Sequence, residues 1–365
     1  MSDSPQSSTR QLLLRRIAGA QELGLLGVIL LLGIVLAVVG GNTESRETDP
    51  KTGKQYLVTK NKFLNVDRLL KLAKDTSFFA IMAIGATMII VAGGVDLSVA
   101  GIYALAGLAG AAVLHSFGPA GDWWKPPDWC VILIVAGVCQ AVGAACGLAN
   151  GLGVVGLGLH PFIITLGTMS VFRGIAFVTT QAQSIGQFNP AFVDGFISYP
   201  LRLGEQESIY PVPLCLLIAI ALWGSYYLAQ TVTGRKLYAI GGNELAARYA
   251  GLPVERLKVV TYVLGGTLAG LAAMINIGYY GSAASSDGMG YELDVIAAAV
   301  VGGASLSGGC GTALGAVLGA LVIRMIDAGI VILELNQNYS RIIVGSVIIL
   351  AASLDRWQAR WRSQQ

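Results

Sequence analysis

The sequence predicts an all-α polytopic membrane protein, and three observations carry that prediction. Of its 365 residues only 12% are charged, about half the share usual in soluble proteins, while 54% are hydrophobic. The runs 23–43, 76–95, 97–121, 129–172, 208–234, 259–286 and 295–323 contain no Asp, Glu, Lys or Arg. A bilayer core takes roughly 20 apolar residues per helix, so several runs hold one span and the longest holds parts of two. Glycine makes up 48 of the 365 residues, nearly twice the usual ~7%, and much of it recurs at four-residue spacing.

Taken in order, the chain opens with a tail over 1–22, where Arg10, Arg15 and Arg16 precede the apolar run Leu23 to Val39. That run exceeds the 7–15 residues of a signal peptide's apolar region and no small-x-small cleavage site follows, so it reads as an uncleaved first helix. About ten helices are predicted, near 23–40, 73–94, 98–116, 130–151, 159–181, 211–230, 258–280, 291–307, 311–333 and 340–355, a membrane unit spanning 23–355. An even count places both tails, 1–22 and 356–365, on the same side as the polar stretch 231–257.

Basic residues occur on both faces, so charge alone does not orient the chain. Those of the tails and of 231–258 lie nearest helix ends, which favours that side as cytoplasmic. Trp123, Trp124 and Trp129 fit one interface, Trp357 and Trp361 the other. The connector 41–72 would then lie outside, its polar part 41–62 as a solvent-exposed excursion. The net charge of +3 is spread over tails and loops. It makes no case for nucleic acid and only a mild one for anionic lipid. Cys130, Cys139, Cys146, Cys215 and Cys310 form no Cys-x-x-Cys pair and read as small buried hydrophobes.

Gly143, Gly147 and Gly151, Gly266 and Gly270, and Gly311, Gly315 and Gly319 let helix backbones approach closely. Packing within one subunit is the plainer reading of these stripes, a dimer seam the sharper one. Glycine also interrupts helices at Gly93-Gly94-Val95-Asp96-Leu97-Ser98 and at Gly302 to Gly309, where Gly303, Ser305 and Ser307 stand. Each interruption follows an apolar stretch and contains a Leu-Ser pair. If the two correspond, helices 2–5 and 7–10 form an inverted repeat, with a substrate path at the interface of the halves.

Self-sufficient catalysis finds little support. No G-x-x-x-x-G-K-[ST] phosphate cradle exists, and Gly151-Leu152-Gly153-Val154-Val155-Gly156 lacks the strand and acidic residue of a dinucleotide site. The two histidines, His115 and His160, form no metal motif, and no Gly-x-Ser-x-Gly elbow is present. An intramembrane aspartyl pair would have to use Asp96 and Asp294, each near a predicted helix end. No cofactor, metal or catalytic residue is therefore expected. A charge at mid-bilayer costs roughly 2.5–3.5 kcal/mol on insertion scales, so Arg173, Arg324 and Asp327 need partners or water. Arg324 and Asp327, three apart, read as neutralising each other. Arg173 follows Thr165, Thr168 and Ser170 and reads equally as a packing partner or as pathway lining.

Within TVTGRKLYAIGGNELAARYAGLPVERLKV, over 231–259, Gly242-Asn243 signals a turn and helix cap, and Glu244 suits the first helical turn. Gly251 stops the helix and Pro253 bars its continuation. The result is a short cytoplasmic helix with small residues on its face, suited to a groove on another protein, or else an ordinary amphipathic connector.

Glu244-Leu245-Ala246-Ala247, with Gly251 further on, resembles the Glu-Ala-Ala…Gly motif of ATP-binding-cassette (ABC) importer membrane subunits. The fuller string GRKLYAIGGNELAARYAGLPVERLK is similar to the coupling segment of the ribose/xylose-type sugar permease family. Stretches 81–107, 150–177 and 294–322 resemble that family in the same order, so the resemblance covers most of 64–355. Leu245 stands where an acidic residue is common, and 41–62 is long for the family.

The resemblance implies the permease subunit of a bacterial importer in the cytoplasmic membrane, passing a ribose-, xylose- or galactose-like monosaccharide. A separate ATPase would dock on Gly242, Asn243, Glu244, Ala246, Ala247 and Gly251. An external binding protein would deliver the solute, and a second permease copy would complete the path. Gly93, Gly94, Asp96, Ser98, Thr165, Thr168, Arg173, Gly303, Ser305 and Ser307 would line or gate it. The alternatives are an importer permease for nucleosides or branched-chain amino acids, and an ion-coupled secondary transporter using Asp96 or Asp294.

Overall fold

The computed structural model describes residues 6–48, 55–119, 121, 125–202 and 208–363. Helix α1 (Gln6–Val39) leads into an antiparallel hairpin, β1 (Asn42–Thr48) and β2 (Gln55–Asn61), in register from Asn42↔Asn61 to Thr48↔Gln55. Then come α2 (Val66–Val91), α3 (Val99–Ser116), α4 (Asp128–Leu157) and α5 (Pro161–Thr180). A three-residue turn, α6 (Pro190–Phe192), runs into a π-helical turn (Val193–Ile197) and a small hairpin, β3 (Leu201–Arg202) with β4 (Ser208–Ile209). The second half holds α7 (Pro211–Gln230), α8 (Val232–Gly242), α9 (Glu244–Tyr249), α10 (Val254–Tyr280), α11 (Tyr291–Val301), α12 (Ala313–Ile332) and α13 (Asn338–Ser363).

All ten predicted helices are present, and eight of them are long and apolar enough to cross a membrane. The eighth is the main departure. Expected over 291–307, it is the 11-residue α11, which at 1.5 Å per residue covers about half a bilayer core. Gly302 and Gly303 end it, Gly303 at φ +95° where a side chain would strain the backbone. The tenth, α13, is apolar over Asn338–Leu350, a stretch of 13 residues, among the described residues. At the other end α1 begins at Gln6, inside the expected tail, and α2 begins at Val66, shortening the 41–72 connector. Asn65 sets that start by accepting the Asp67 N–H. The excursion is a β-hairpin, and the 231–257 stretch holds two helices, α8 and α9, where one was expected.

Helices α2 and α10 form the buried centre, although both are hydrophobic enough to face lipid. They touch through backbone: a methyl added to Gly85 would sit 3.2 Å from the Gly265 Cα. Helix α2 packs on α10, α11 and α12, and α10 packs on α2, α3 and α4. Helix α3 contacts α4 and α5, just as α11 contacts α12 and α13. Exchanging α2–α5 with α10–α13 therefore preserves the packing, the pattern that an inverted repeat of predicted helices 2–5 and 7–10 requires.

The glycine stripes serve this packing inside one chain. A methyl on Gly143 would fall 2.2 Å from the Gly266 carbonyl oxygen, and one on Gly270 2.2 Å from that of Cys139. Gly315 and Gly319 press likewise on α11, 2.0 Å from the carbonyl oxygens of Gly302 and Ala298 on the same measure. Cys139 and Cys146 are buried as expected, but Cys215 and Cys310 are exposed, one on the outer face of α7 and one in the turn before α12. Trp129 is exposed on the first turn of α4, while Trp123 and Trp124 lie outside the described residues.

Candidate functional site

The polar stretch folds as two capped helices. Thr231 Oγ1 accepts the Gly234 N–H at 2.9 Å and starts α8; Asn243, in extended conformation, ends α8 and starts α9 by accepting the Ala246 N–H at 2.9 Å. Glu244 holds α9 to its neighbours, receiving Arg248 at 2.9 Å and Lys258 of α10 at 2.6 Å, while Arg248 also pairs with Glu255. Burial pushes the Glu244 carboxyl up, but the hydrogen bonds and charges of Lys258 and Arg248 outweigh it and hold the group below its ordinary 4.5. Gly251 closes α9 at φ +77°, and the Leu252 N–H returns to the Ala247 carbonyl at 3.1 Å.

Ala246 and Ala247, read together from the sequence, part company here: Ala247 is buried and Ala246 exposed. The outward face of α9 also carries Leu245 and Tyr249, four residues apart and 60% and 83% exposed, so it is more apolar than the expected small-residue surface.

Behind α9 lies a joint made of backbone. Gly241, near the end of α8, presses on both glycine-interrupted turns at once. A methyl there would fall 1.9 Å from the Val91 carbonyl oxygen and 2.4 Å from the Gly309 nitrogen. The Gly309 N–H donates to the same Val91 carbonyl at 3.0 Å, and Tyr238 Oη donates to the Gly311 carbonyl at 2.6 Å. Gly308 and Gly309 reach these contacts at φ +86° and +73°, Gly93 its turn at +79°. Ser305 and Ser307 shape the second turn: the Ser307 N–H reaches Ser305 Oγ at 3.3 Å and the Gly308 N–H the Ser305 carbonyl at 2.8 Å.

Both glycine turns thus sit on one face, under α8. An inverted repeat relates opposite faces, and the exchange pairs the turn after α2 with segment 281–290 after α10. The shared Leu-Ser sequence is local turn chemistry rather than the trace of the repeat.

The first turn is tied inward by a chain of hydrogen bonds. Asp96 Oδ1 accepts the Ser98 N–H at 2.7 Å and its hydroxyl at 2.6 Å; Asn150 Nδ2 donates to Ser98 Oγ, and Thr168 Oγ1 to Asn150 Oδ1, both at 2.6 Å. Thr165 and Tyr262 each donate to the Val95 carbonyl, at 3.3 and 3.2 Å. Four of the predicted residues, Asp96, Ser98, Thr165 and Thr168, meet here, joining α4, α5 and α10 to the turn. Asp96, Ser98, Asn150 and Thr165 are buried, so the group is a packed polar joint whose members satisfy one another. Gly94 abuts it, its added methyl 2.8 Å from Tyr262 Oη. Asn150 was missed by the sequence reading, although an amide in an uncharged run was its signal.

Arg173 acts as a packing partner. Its guanidinium donates to the carbonyls of Ser285, Asp287 and Ala100 at 2.8, 2.6 and 3.1 Å, fastening segment 281–290 to α5 and α3. It also lines a cavity of about 880 Å³ between α5, α11, α12 and α13, with Glu292, Asp294, Arg324, Asp327 and Arg341. Arg324 and Asp327 do neutralise each other, at 3.1 Å, and the Arg324 guanidinium lies 3.9 Å over the Phe79 ring.

The family model described as "Branched-chain amino acid transport system / permease component" matches residues 68–352. The D-allose transport system permease protein AlsC of Escherichia coli is 35% identical over 294 residues, 80% of this chain and 85% of that protein. The ribose import permease protein RbsC of the same organism is 35% identical over 295 residues, 80% of this chain and 87% of that one. The galactose/methyl galactoside import permease protein MglC is also 35% identical, over 303 residues, with 80% and 87% covered.

Proposed function

The chain belongs to that permease family, and we propose that it is the membrane subunit of an ABC importer for a monosaccharide of the ribose, allose or galactose kind. The observation that carries this reading is that docking helix α9 follows directly on α8, whose Gly241 presses on both interrupted turns. A surface meant only as a connector has no need of a rigid link into the two halves of the helical core.

In this reading ATP is hydrolysed on a separate subunit that grips Leu245, Ala246 and Tyr249, with Gly242, Asn243 and Gly251 setting the helix ends and Glu244 pinning it to α10. The α8–α9 face is cytoplasmic, the β1–β2 hairpin faces the binding protein, and a second copy completes the path in a bacterial inner membrane. ATP-driven closure of the partner pushes α9. Gly241 passes the movement to the turns holding Gly93, Gly94 and Asp96 and holding Gly303, Ser305 and Ser307. The Asp96–Ser98–Asn150–Thr168 chain carries it into α4 and α5.

Reconstitution with the ATPase and binding protein in proteoliposomes tests this. Leu245→Glu with Tyr249→Ala should cut ATP-dependent sugar uptake at least about tenfold and release the ATPase on co-purification, since docking rests on few exposed anchors. Uptake and assembly that survive the double change would refute the assignment, as would uphill uptake by the permease alone. The family model's description keeps amino-acid uptake as a second reading, distinguished by L-leucine transport in the same assay.

A further inference from the structure

Helix α1 and the β1–β2 hairpin lie ahead of residue 68, where the family match begins. A helix that merely anchors a chain in lipid needs an apolar surface and no particular neighbour. The span Glu22–Val39 has that surface, with Leu23, Leu30, Leu31 and Ile34 exposed. Its other face packs on α12, and polar groups tie it at both ends.

At the outer end the two helices meet without slack. A methyl on Gly40 would sit 2.7 Å from Ile332 Cγ2, and one on Gly329 2.8 Å from Leu36 Cδ2. Phe63, just past the hairpin, is buried with Leu36, Leu72, Met325 and Ile332. Asn61 fixes the hairpin base: its Nδ2 donates to the Ala37 carbonyl at 2.9 Å, and its Oδ1 accepts the Phe63 and Leu64 N–H groups at 2.9 and 2.8 Å. The Lys62 N–H reaches the Gly41 carbonyl at 2.9 Å. The Lys62 ammonium also pairs with Glu334 beyond α12, but Glu334 is exposed, so that pair adds little. At the inner end Thr312 Oγ1 donates to Glu22 Oε1 at 3.2 Å while accepting the Gly315 N–H at 2.9 Å, which starts α12. The residue before it is Gly311, whose carbonyl holds Tyr238 of α8. Helix α12 also walls the vestibule, the cavity between α5, α11, α12 and α13, through Arg324, Asp327 and Val331.

We propose that α1 and α12 form one transmembrane strut between the β1–β2 hairpin and the coupling joint. An external binding protein seated on the hairpin speeds ATP hydrolysis through this strut, with Glu22 as the positioning residue at its inner end. This inference rests on the reading of the chain as an importer permease. The 18 residues of Glu22–Val39 rise about 27 Å, close to the thickness of a bilayer core, so the two ties lie at opposite surfaces. The Gly311-Thr312 link is gripped from two sides, by Tyr238 of α8 and by Glu22 of α1. A displacement that reaches the link from α8 moves α12 together with α1. A displacement of the hairpin reaches the link along the same pair, because close-packed helices shift as units. Coupling between two sites is reciprocal, so docking outside and closure inside bias one another.

The test is the ATPase rate of the complete importer in nanodiscs, with and without binding protein loaded with D-ribose, D-allose or D-galactose. Glu22→Ala should leave the ATPase bound and its basal rate unchanged, and cut the stimulation by loaded binding protein at least about threefold. Glu22→Gln keeps an oxygen that accepts from Thr312 and should retain most of the stimulation. Asn61→Ala cuts the tie at the other end and should lower stimulation likewise, which keeps the proposal testable if Glu22→Ala fails to assemble. The double variant should lose no more than the worse single one, since both interrupt one route. Unchanged stimulation in either alanine variant, basal and stimulated rates that fall in step, a Gln variant as impaired as the Ala one, or additive losses would overturn the strut and leave the permease reading standing. An unaltered chain that fails to hold the ATPase, or whose ATPase ignores every loaded binding protein, would remove the permease reading and the strut with it.

Discussion

The joint under α8 and the vestibule beside α11 are built on opposite plans. At the joint, backbone meets backbone: Gly241, Val91 and Gly309 leave no room for a single methyl group. Beside α11 a cavity of about 880 Å³ stands open, walled by charged residues such as Arg173, Glu292 and Arg324 and by apolar ones such as Met289, Val331 and Ile348. Transmitting a displacement requires contacts that cannot compress, and close-packed backbone is the stiffest contact available. Admitting a solute requires space and groups that can exchange hydrogen bonds with it. Under the proposed function, the joint is the part built to transmit force.

The largest effect that can break this contrast comes from adding one methyl at each place. Gly241→Ala would put a side-chain carbon 1.9 Å from the Val91 oxygen, whereas a Cβ on Gly345, on the vestibule wall, meets nothing within 4 Å. Overpacking of a filled site costs about 1–3 kcal/mol, so Gly241→Ala should lower ATP-driven uptake about ten- to hundredfold and Gly345→Ala should leave it unchanged. Equal behaviour of the two variants in an uptake assay would erase the distinction.

The next effect sharpens it. Asn150→Ala strips the central link from a buried polar chain and leaves Ser98 and Thr168 short of partners, a loss of about 1–3 kcal/mol. Thermal unfolding in nanodiscs should show a clear fall in Tm.

The smallest effect concerns pH. The Glu244 carboxyl is held below 4.5 by Lys258 and Arg248. Its contribution is fully present above pH 4.5 and is lost as pH falls through the lowered value. With 39% of that side chain exposed, screening limits the contribution to under about 1 kcal/mol. Amide exchange in α9 should quicken only in acid, and Glu244→Gln should abolish that step.

The long helices were legible because uncharged runs of about 20 residues leave a chain few choices in lipid. The polar joint was half legible: Asp96, Ser98, Thr165 and Thr168 stand out as polar groups near helix ends, but their convergence on Asn150 is a tertiary fact. The uncharged run over 295–323 concealed the shortness of α11, since hydropathy does not register the left-handed turn at Gly303. Gly241 carries no mark at all. It is one glycine among 48, and its importance lies in two segments, at Val91 and at Gly309, 150 and 68 residues away along the chain, that fold back onto it. The Leu-Ser likeness misled because short turns recur for local reasons, whereas the repeat is recorded in which helices pack together.

The most direct test measures whether movement crosses the joint. Spin labels at Ser170→Cys and Gln337→Cys, across the vestibule, would be introduced after replacing the exposed Cys215 and Cys310, and their separation read by pulsed electron resonance in the complete importer. Trapping the ATPase with nucleotide should change that separation in the otherwise unaltered chain and leave it fixed in Gly241→Ala, although the ATPase remains bound. A vestibule that opens and closes equally in both would contradict the account.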